Sequence, residues 1–205
     1  MIDFFLEAYK NATMTQIVLE FIAFVLGIAS VWFAKKENIL VYPTGLIATV
    51  ITTYLLWVAG YLGDMMINFY FSIMSIYGWW NWSRKHPDKE PLPISRTNFK
   101  EKIIGIALFF LTIVVVFALY KTMGQDIEKE NYIDIVASGI FFTGMWYMAH
   151  KKIENWTLWI IGDLIVTPIY AYRGLGMLSL QYLIFTGLAI LAYLEWRRIL
   201  QQKNI

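Results

Sequence analysis

The stretch IIGIALFFLTIVVVFALY (residues 103–120) contains no charged residue. Its length approaches the roughly 20 residues that an α-helix needs to cross a hydrocarbon core of about 30 Å. An uninterrupted apolar run also excludes the alternating strands of about ten residues that form outer-membrane barrels. The stretch therefore predicts a transmembrane helix and places the chain among the all-α integral membrane proteins.

The composition of the whole chain agrees with this class. Of its 205 residues, 59% are hydrophobic and 18% are aromatic, which is more apolar surface than a soluble domain of this length buries. The net charge of +2 gives no reason to expect a nucleic-acid partner, and the lack of cysteine excludes disulfides and thiolate sites. Asp3 and Glu7 stand where a secretory signal has basic residues, so no cleavable signal peptide is predicted.

Six further apolar spans accompany the first, which gives seven predicted transmembrane helices. A polar stretch with three prolines separates the third span from the fourth and is predicted to be a loop. In chain order the seven spans are 15–34, 39–59, 64–82, 103–120, 131–150, 154–172 and 176–196.

Lysine and arginine residues are distributed unevenly between the two ends of these helices. Four lie on the side of the N-terminus and thirteen on the other side, which accounts for all 17. Because basic loops stay in the cytoplasm, the N-terminus is predicted to lie outside and the C-terminus in the cytoplasm. The four are Lys10, Lys121, Lys129 and Arg173; the thirteen are Lys35, Lys36, Arg84, Lys85, Lys89, Arg96, Lys100, Lys102, Lys151, Lys152, Arg197, Arg198 and Lys203.

An internal repeat is predicted from two similar stretches, KENILVYPTGL (residues 36–46) and IENWTLWIIGD (residues 153–163). Asn38 and Asn155 are each followed by a glycine seven residues later, and each is a candidate helix N-cap. With a shift of one residue, Phe69, Tyr77 and Trp80 match Phe185, Tyr193 and Trp196.

The fourth helix lies between the two copies, so both copies have the same orientation. Parallel repeats are one way to build a transporter whose substrate lies near the midplane. The predicted divisions are an outer N-terminal segment (1–14), a first three-helix repeat (15–82), a cytoplasmic loop (83–102), a linker helix (103–120), a second three-helix repeat (131–197) and a cytoplasmic tail (198–205).

Asp163 is the candidate functional residue that the sequence marks most clearly. It lies about ten residues into its span, near the bilayer centre, where insertion of an aspartate costs about 2.5–3.5 kcal/mol. Trp156, Trp159 and Asp163 have i, i+3, i+7 spacing and share one helix face. Acidic residues at this depth usually face a bundle interior or a wet cavity. The alternative is an aspartate that only hydrogen-bonds to a neighbouring helix.

Further candidate binding residues are the polar and aromatic side chains of the third and seventh spans, Asn68, Tyr77, Trp80 and Gln181. Trp79 and Trp82 are predicted to belong to an interfacial belt. Indole faces beside one carboxylate suit a flat heteroaromatic cation. No catalytic motif is present, and no metal or cofactor is expected.

Two stretches, residues 153–196 and NFYFSIMSIYGWWNW (residues 68–82), resemble the Pnu-type vitamin transporters, and most of all their nicotinamide riboside branch, PnuC. The resemblance extends over residues 15–196. It implies a 3+1+3 helix fold like a full-length SWEET carrier and a homotrimer. It also implies facilitated diffusion of an unphosphorylated vitamin, which a cytosolic kinase then traps. By resemblance, Trp156, Trp159, Asp163 and Asn68 are the binding positions.

The first functional hypothesis is therefore a nicotinamide riboside transporter in a bacterial inner membrane. A thiamine transporter of the same fold is the alternative, since both vitamins are cations, and neutral riboflavin fits the acid less well. A membrane-embedded sensor or enzyme is a third hypothesis of a different class.

Overall fold

The computed structural model describes residues 12–59, 62–84, 92–122, 129–173 and 176–202. Parts of the predicted N-terminal segment, of the loop 83–102 and of the tail lie outside the described residues. Each helix in this part of the chain overlaps one predicted span, which confirms the all-helical class. The helices are α1 (Met14–Lys35), α2 (Val41–Ala59), α3 (Leu62–Ser83), α4 (Phe99–Thr122), α5 (Lys129–Ala149), α6 (Glu154–Tyr172) and α7 (Gly176–Gln202).

Four of the described helices are long and apolar enough to cross a membrane, namely α1, Val41–Val58 of α2, α4 and α7. Helices α3, α5 and α6 carry polar side chains that are buried against neighbouring helices, and these lower their average hydropathy. Examples are Asn81, Ser138 and Asp163, which are 1%, 3% and 2% exposed. That these three helices also cross the membrane stays a prediction.

Side-chain hydrogen bonds define two of the helix starts. Thr13 accepts from the backbone N–H of Gln16, and the Gln16 side chain accepts from the backbone N–H of Thr13 in return. Asn98 and Glu101 make the same reciprocal pair at the start of α4, at 2.8 and 2.9 Å. These capping boxes satisfy backbone donors that have no partner within the helix.

Two sets of three helices form the bundle. Helices α1, α2 and α3 pack in sequence order, as do α5, α6 and α7, and the sets meet where α1 packs on α7 and α3 on α5. Helix α4 packs mainly on α5 and leaves Phe110, Leu111 and Val114 about 60% exposed. This placement is expected for a helix that faces lipid.

One end of the bundle is rich in positive charge. Helices α1, α3, α5 and α7 finish there, and α2, α4 and α6 begin there. Lys35, Arg84, Lys152 and Arg197 lie at this end. We call it the basic end.

Two tryptophans at the basic end make equivalent hydrogen bonds, each from one set of three helices to the other. The indole of Trp82 donates to the carbonyl of Met148 at 3.3 Å, and the indole of Trp196 donates to the carbonyl of Ala34 at 3.2 Å. Both the donors and the acceptors are separated by 114 residues. Trp196 therefore corresponds to Trp82 and not to Trp80. Trp82 is only 7% exposed, so its predicted place in an interfacial belt is wrong.

The same interval relates contacts deeper in the bundle. The Thr53 hydroxyl donates to the carbonyl of Thr49, and the Thr167 hydroxyl donates to the carbonyl of Asp163, both at 2.7 Å. Thr49 of α2 is therefore the counterpart of Asp163 in α6. Two further pairs of contacts obey this interval: Ser72–Asn68 with Thr186–Tyr182, and Tyr42–Trp82 with Trp156–Trp196.

The predicted repeat pairs Asn38 with Asn155. The interval of 114 residues between the recurring contacts differs from that pairing by three residues. Asn38 lies in the turn before α2, where its side chain accepts from the N–H of Leu40 at 2.9 Å. Asn155 is fully buried inside α6 and does not cap it. Both turns contain a residue with positive φ, Glu37 at 53° and Lys151 at 50°. Turn geometry, not the shared Glu-Asn pair, sets the register.

Candidate substrate-binding site

Asp163 lies at the midpoint of α6, on its buried face. The residue is 2% exposed, and its Oδ1 atom has no hydrogen-bond partner among the described residues. A buried carboxylate oxygen without a partner is costly, and native structures rarely leave one unexplained. This oxygen gives no support to the alternative of an aspartate that hydrogen-bonds to a neighbouring helix. A ligand donor would satisfy it.

Trp159 precedes Asp163 by one helical turn and lies between two phenylalanine rings. Its ring centroid is 5.3 Å from that of Phe141 and 5.8 Å from that of Phe71. The indole Nε1 is buried and likewise lacks an acceptor within the described part of the chain. One unsatisfied donor and one unsatisfied acceptor thus lie about one turn apart on the same helix face.

Tyrosines extend this aromatic cluster toward the far end of the bundle. The ring of Tyr182 stacks at 6.1 Å on Phe141 and at 5.2 Å on Tyr170, with interplanar angles of 29° and 28°. We call Phe71, Phe141, Trp159 and Tyr182 the central aromatic cluster. Gly162 allows its close packing, because a Cβ atom there would collide with the ring of Phe141.

The corresponding position in the first three helices is chemically different. Thr49, the counterpart of Asp163, shares a hydrogen bond of 2.8 Å with the hydroxyl of Ser72. The two hydroxyl groups at this position of the first three helices therefore satisfy each other. In the other half Asp163 Oδ1 has no partner among the described residues. This asymmetry places the candidate site on α6.

The structure brings some predicted site residues together and separates others. Asn68 lies one turn from Phe71 on α3, and Gln181 adjoins Tyr182 on α7; both are partly buried. Their side chains supply amide groups that donate and accept hydrogen bonds.

Trp156, Tyr77 and Trp80 lie toward the basic end. Trp156 is 1% exposed and packs edge-on against Trp196 at 5.4 Å. The Tyr77 hydroxyl lies 3.0 Å from Nε2 of His150, and Trp80 is 56% exposed beneath the guanidinium of Arg84. No ring contact joins them to the central aromatic cluster in the part of the chain described.

Sequence reasoning missed Phe71 and Phe141. Phenylalanine in an apolar helix has the same appearance whether it faces lipid or a ligand. The glycines around Phe141, at 139 and 144, were the available signal, because small residues mark where helices approach closely.

The chain is similar in sequence to known transporters. A family model described as nicotinamide mononucleotide transporter matches residues 17–198. The nicotinamide riboside transporter PnuC of Escherichia coli is 24% identical over 201 residues, covering 87% of this chain and 84% of its own length. The riboflavin/roseoflavin transporter RibM of Streptomyces davaonensis is 22% identical over 129 residues, or 60% of this chain and 58% of RibM.

A solved structure has the same fold. The crystal structure of the vitamin B3 transporter PnuC superposes with a TM-score of 0.74 at 19% identity, covering 98% of this chain and 89% of that one.

Proposed function

We propose, from the premise that this chain belongs to the nicotinamide mononucleotide transporter family, that it takes up nicotinamide riboside by facilitated diffusion. The fold and the relatives are those of transporters and not of enzymes. The chain is a multi-pass membrane protein like PnuC. The substrate and the mechanism of uptake are the proposal.

The observation that carries the proposal is the unsatisfied pair on α6, Trp159 Nε1 and Asp163 Oδ1. Nicotinamide riboside offers a flat cationic ring, a carboxamide and sugar hydroxyls. A carboxylate balances the ring charge and accepts from hydroxyls, and an indole N–H donates to a carbonyl. The rings of Phe71 and Phe141 around Trp159 make this an aromatic environment, which suits a flat cation by cation–π attraction.

The substrate is proposed to carry no phosphate. Among the described residues, every lysine and arginine lies near a helix end or in a connecting segment, so none of them can compensate a phosphate at the depth of Asp163. A phosphate there would lose its hydration without gaining a cation. Phosphorylation by a cytosolic kinase would therefore trap the vitamin inside the cell.

The transport pathway is proposed to lie between two parallel three-helix repeats that α4 connects, as in a full-length SWEET carrier. The contacts that recur at an interval of 114 residues support this arrangement. The basic end is proposed to face the cytoplasm of a bacterial inner membrane, because thirteen of 17 basic residues belong to that side.

The assembly is proposed to be a homotrimer, as the family resemblance implies. The exposed apolar surface of α4 is available to lipid or to a neighbouring subunit. Native mass spectrometry of the purified protein in detergent measures the number of subunits directly.

Uptake into proteoliposomes tests the function. Labelled nicotinamide riboside should enter down its own gradient without an ion gradient and should be recovered unchanged. Unlabelled nicotinamide riboside should compete better than thiamine, riboflavin or nicotinamide mononucleotide. A chemically altered product would show an enzyme, binding without flux would show a sensor, and better competition by thiamine would transfer the proposal to that vitamin.

A further inference from the structure

A concave site lies at the basic end, away from the central aromatic cluster. It is a cavity of about 520 Å³ between the segment that precedes α4 and the last turns of α7. Ile94, Ser95 and Arg96 line one wall, and Arg197, Leu200 and Gln201 line the other. The spacing of the three α7 residues places them on one helix face.

Backbone hydrogen bonds hold the first wall in place. The N–H of Ser95 donates to the carbonyl of Lys151 at 3.1 Å, and the N–H of Ile153 donates to the carbonyl of Ser95 at 3.0 Å. The N–H of Thr97 donates to the carboxylate of Glu154 at 3.0 Å. Ile94 is 3% exposed and anchors the segment in the core. The wall is therefore formed before any ligand arrives.

The cavity carries positive charge for which the described residues offer no acidic partner. Among residues placed by the structure, neither Arg96 nor Arg197 has a carboxylate partner, and no acidic residue lines the cavity. Other basic residues do have partners: Lys151 pairs with Glu37 at 3.1 Å and Lys152 with Glu101 at 2.7 Å.

We propose that this cavity binds a phosphate-bearing anion between the guanidinium groups of Arg96 and Arg197. Guanidinium groups match phosphate oxygens in geometry and charge, and the Ser95 hydroxyl and the Gln201 amide supply further donors. Leu200 and Ile94 add an apolar side to the cavity, which suits the glycerol and acyl portion of an anionic phospholipid. The same phosphate chemistry is also present in free phosphate.

The two sources are separated by thermal unfolding of the purified protein in detergent. One arm adds short-chain phosphatidylglycerol, the second adds zwitterionic phosphatidylcholine of equal chain length, and the third adds inorganic phosphate. At saturation, an anion bound only by the folded protein should raise the Tm by roughly 3 °C or more. Phosphatidylcholine should leave the Tm unchanged.

A matched pair of variants tests the site itself. R96Q/R197Q removes both cavity arginines, and R84Q/R198Q removes the same charge from two arginines at the same end that do not line the cavity; all four are exposed. The first variant should lose most of the Tm shift and bind the anion about tenfold more weakly or worse. The second should behave as the wild type does.

Each outcome decides the proposal. A shift with phosphatidylglycerol alone assigns a lipid headgroup, and an equal shift with inorganic phosphate assigns a free anion; both support the site. No shift with either anion, or equal shifts in the two variants, overturns it. The unfolding curve of each variant without ligand shows that it is folded.

Discussion

Glu37 and Lys151 lie 114 residues apart and form an ion pair, with Nζ 3.1 Å from Oε2. Each occupies the positive-φ position of the turn that ends its helix, α1 or α5. The Lys151 side chain is 7% exposed and lies 4.4 Å above the ring of Trp82. Equivalent positions of the two halves thus contact each other at the basic end, and their opposite charges join the halves there.

The first prediction concerns this ion pair. Glu37→Gln should destabilise the protein by about 1–3 kcal/mol, because the buried Lys151 ammonium loses its carboxylate partner. This range lies between the values for exposed ion pairs and for fully buried ones. Lys151→Met should cost less once Glu37 is already Gln. Unfolding of the two single variants and the double variant gives the coupling energy. A coupling near zero would show that the pair does not hold the halves together.

The second prediction concerns the proposed substrate contacts. Trp159→Ala and Asp163→Ala should each weaken binding of nicotinamide riboside tenfold or more, about 1.4 kcal/mol, because each removes a buried polar partner beside the aromatic cluster. Titration calorimetry measures the affinity. Trp57→Ala, which removes an indole that is 64% exposed, and Glu20→Gln, which neutralises an exposed acid in α1, are the controls and should bind normally.

Asp163→Asn separates charge from shape in the same experiment. The amide keeps the volume and one acceptor oxygen, so a large loss of affinity would assign the effect to the negative charge. If all three site variants retain wild-type affinity while remaining folded, the site lies elsewhere.

The sequence was sufficient to single out Asp163 as a candidate, because a carboxylate in an apolar span is costly and usually serves a function. It was not sufficient to find Phe141 or Phe71, since their role depends on which neighbouring helix they face. Trp82 shows the same limit. An indole near a helix end is typical of a membrane interface, and only the packing of α3 on α5 reveals that it is buried.

The repeat stays a prediction, and the contacts that recur at 114 residues involve the same helices in a different register. Residue identity favoured the Glu-Asn pairs, whereas the hydrogen bonds follow the turns that contain Glu37 and Lys151. Matching residue identities within one sequence does not detect backbone turns, and the two registers therefore differ by three residues.

The third prediction concerns the packing beside Asp163. Gly162→Ala should destabilise the protein and weaken nicotinamide riboside binding, because the added methyl would displace the ring of Phe141. Gly187→Ala is the matched control, since nothing lies within 4 Å of the position a Cβ would take. Thermal unfolding and calorimetry on both variants make the comparison. Equal behaviour of the two alanine variants would mean that Phe141 moves aside without consequence.

The environment of His150 leads to a prediction about pH. Its Nε2 lies 3.0 Å from the Tyr77 hydroxyl and its Nδ1 lies 2.8 Å from the carbonyl of Trp146. Burial lowers the pKa of His150 below its ordinary value of about 6.5, and Lys152 and Arg84 lower the pKa further. The Trp146 carbonyl and Glu101 act in the opposite direction without reversing the shift. The folded protein therefore favours the neutral imidazole, which accepts from Tyr77 while Nδ1–H donates to Trp146.

This preference makes stability depend on pH in a defined window. A lowered pKa in the folded state stabilises the protein fully above about pH 6.5, and the contribution is lost as the pH falls from there toward the folded-state pKa. The Tm should therefore drop between pH 7.5 and pH 5.5, and His150→Gln should reduce that drop. His86→Gln, which removes the only other histidine of the chain, should keep the wild-type pH dependence. An unchanged drop in His150→Gln would show that another group is responsible.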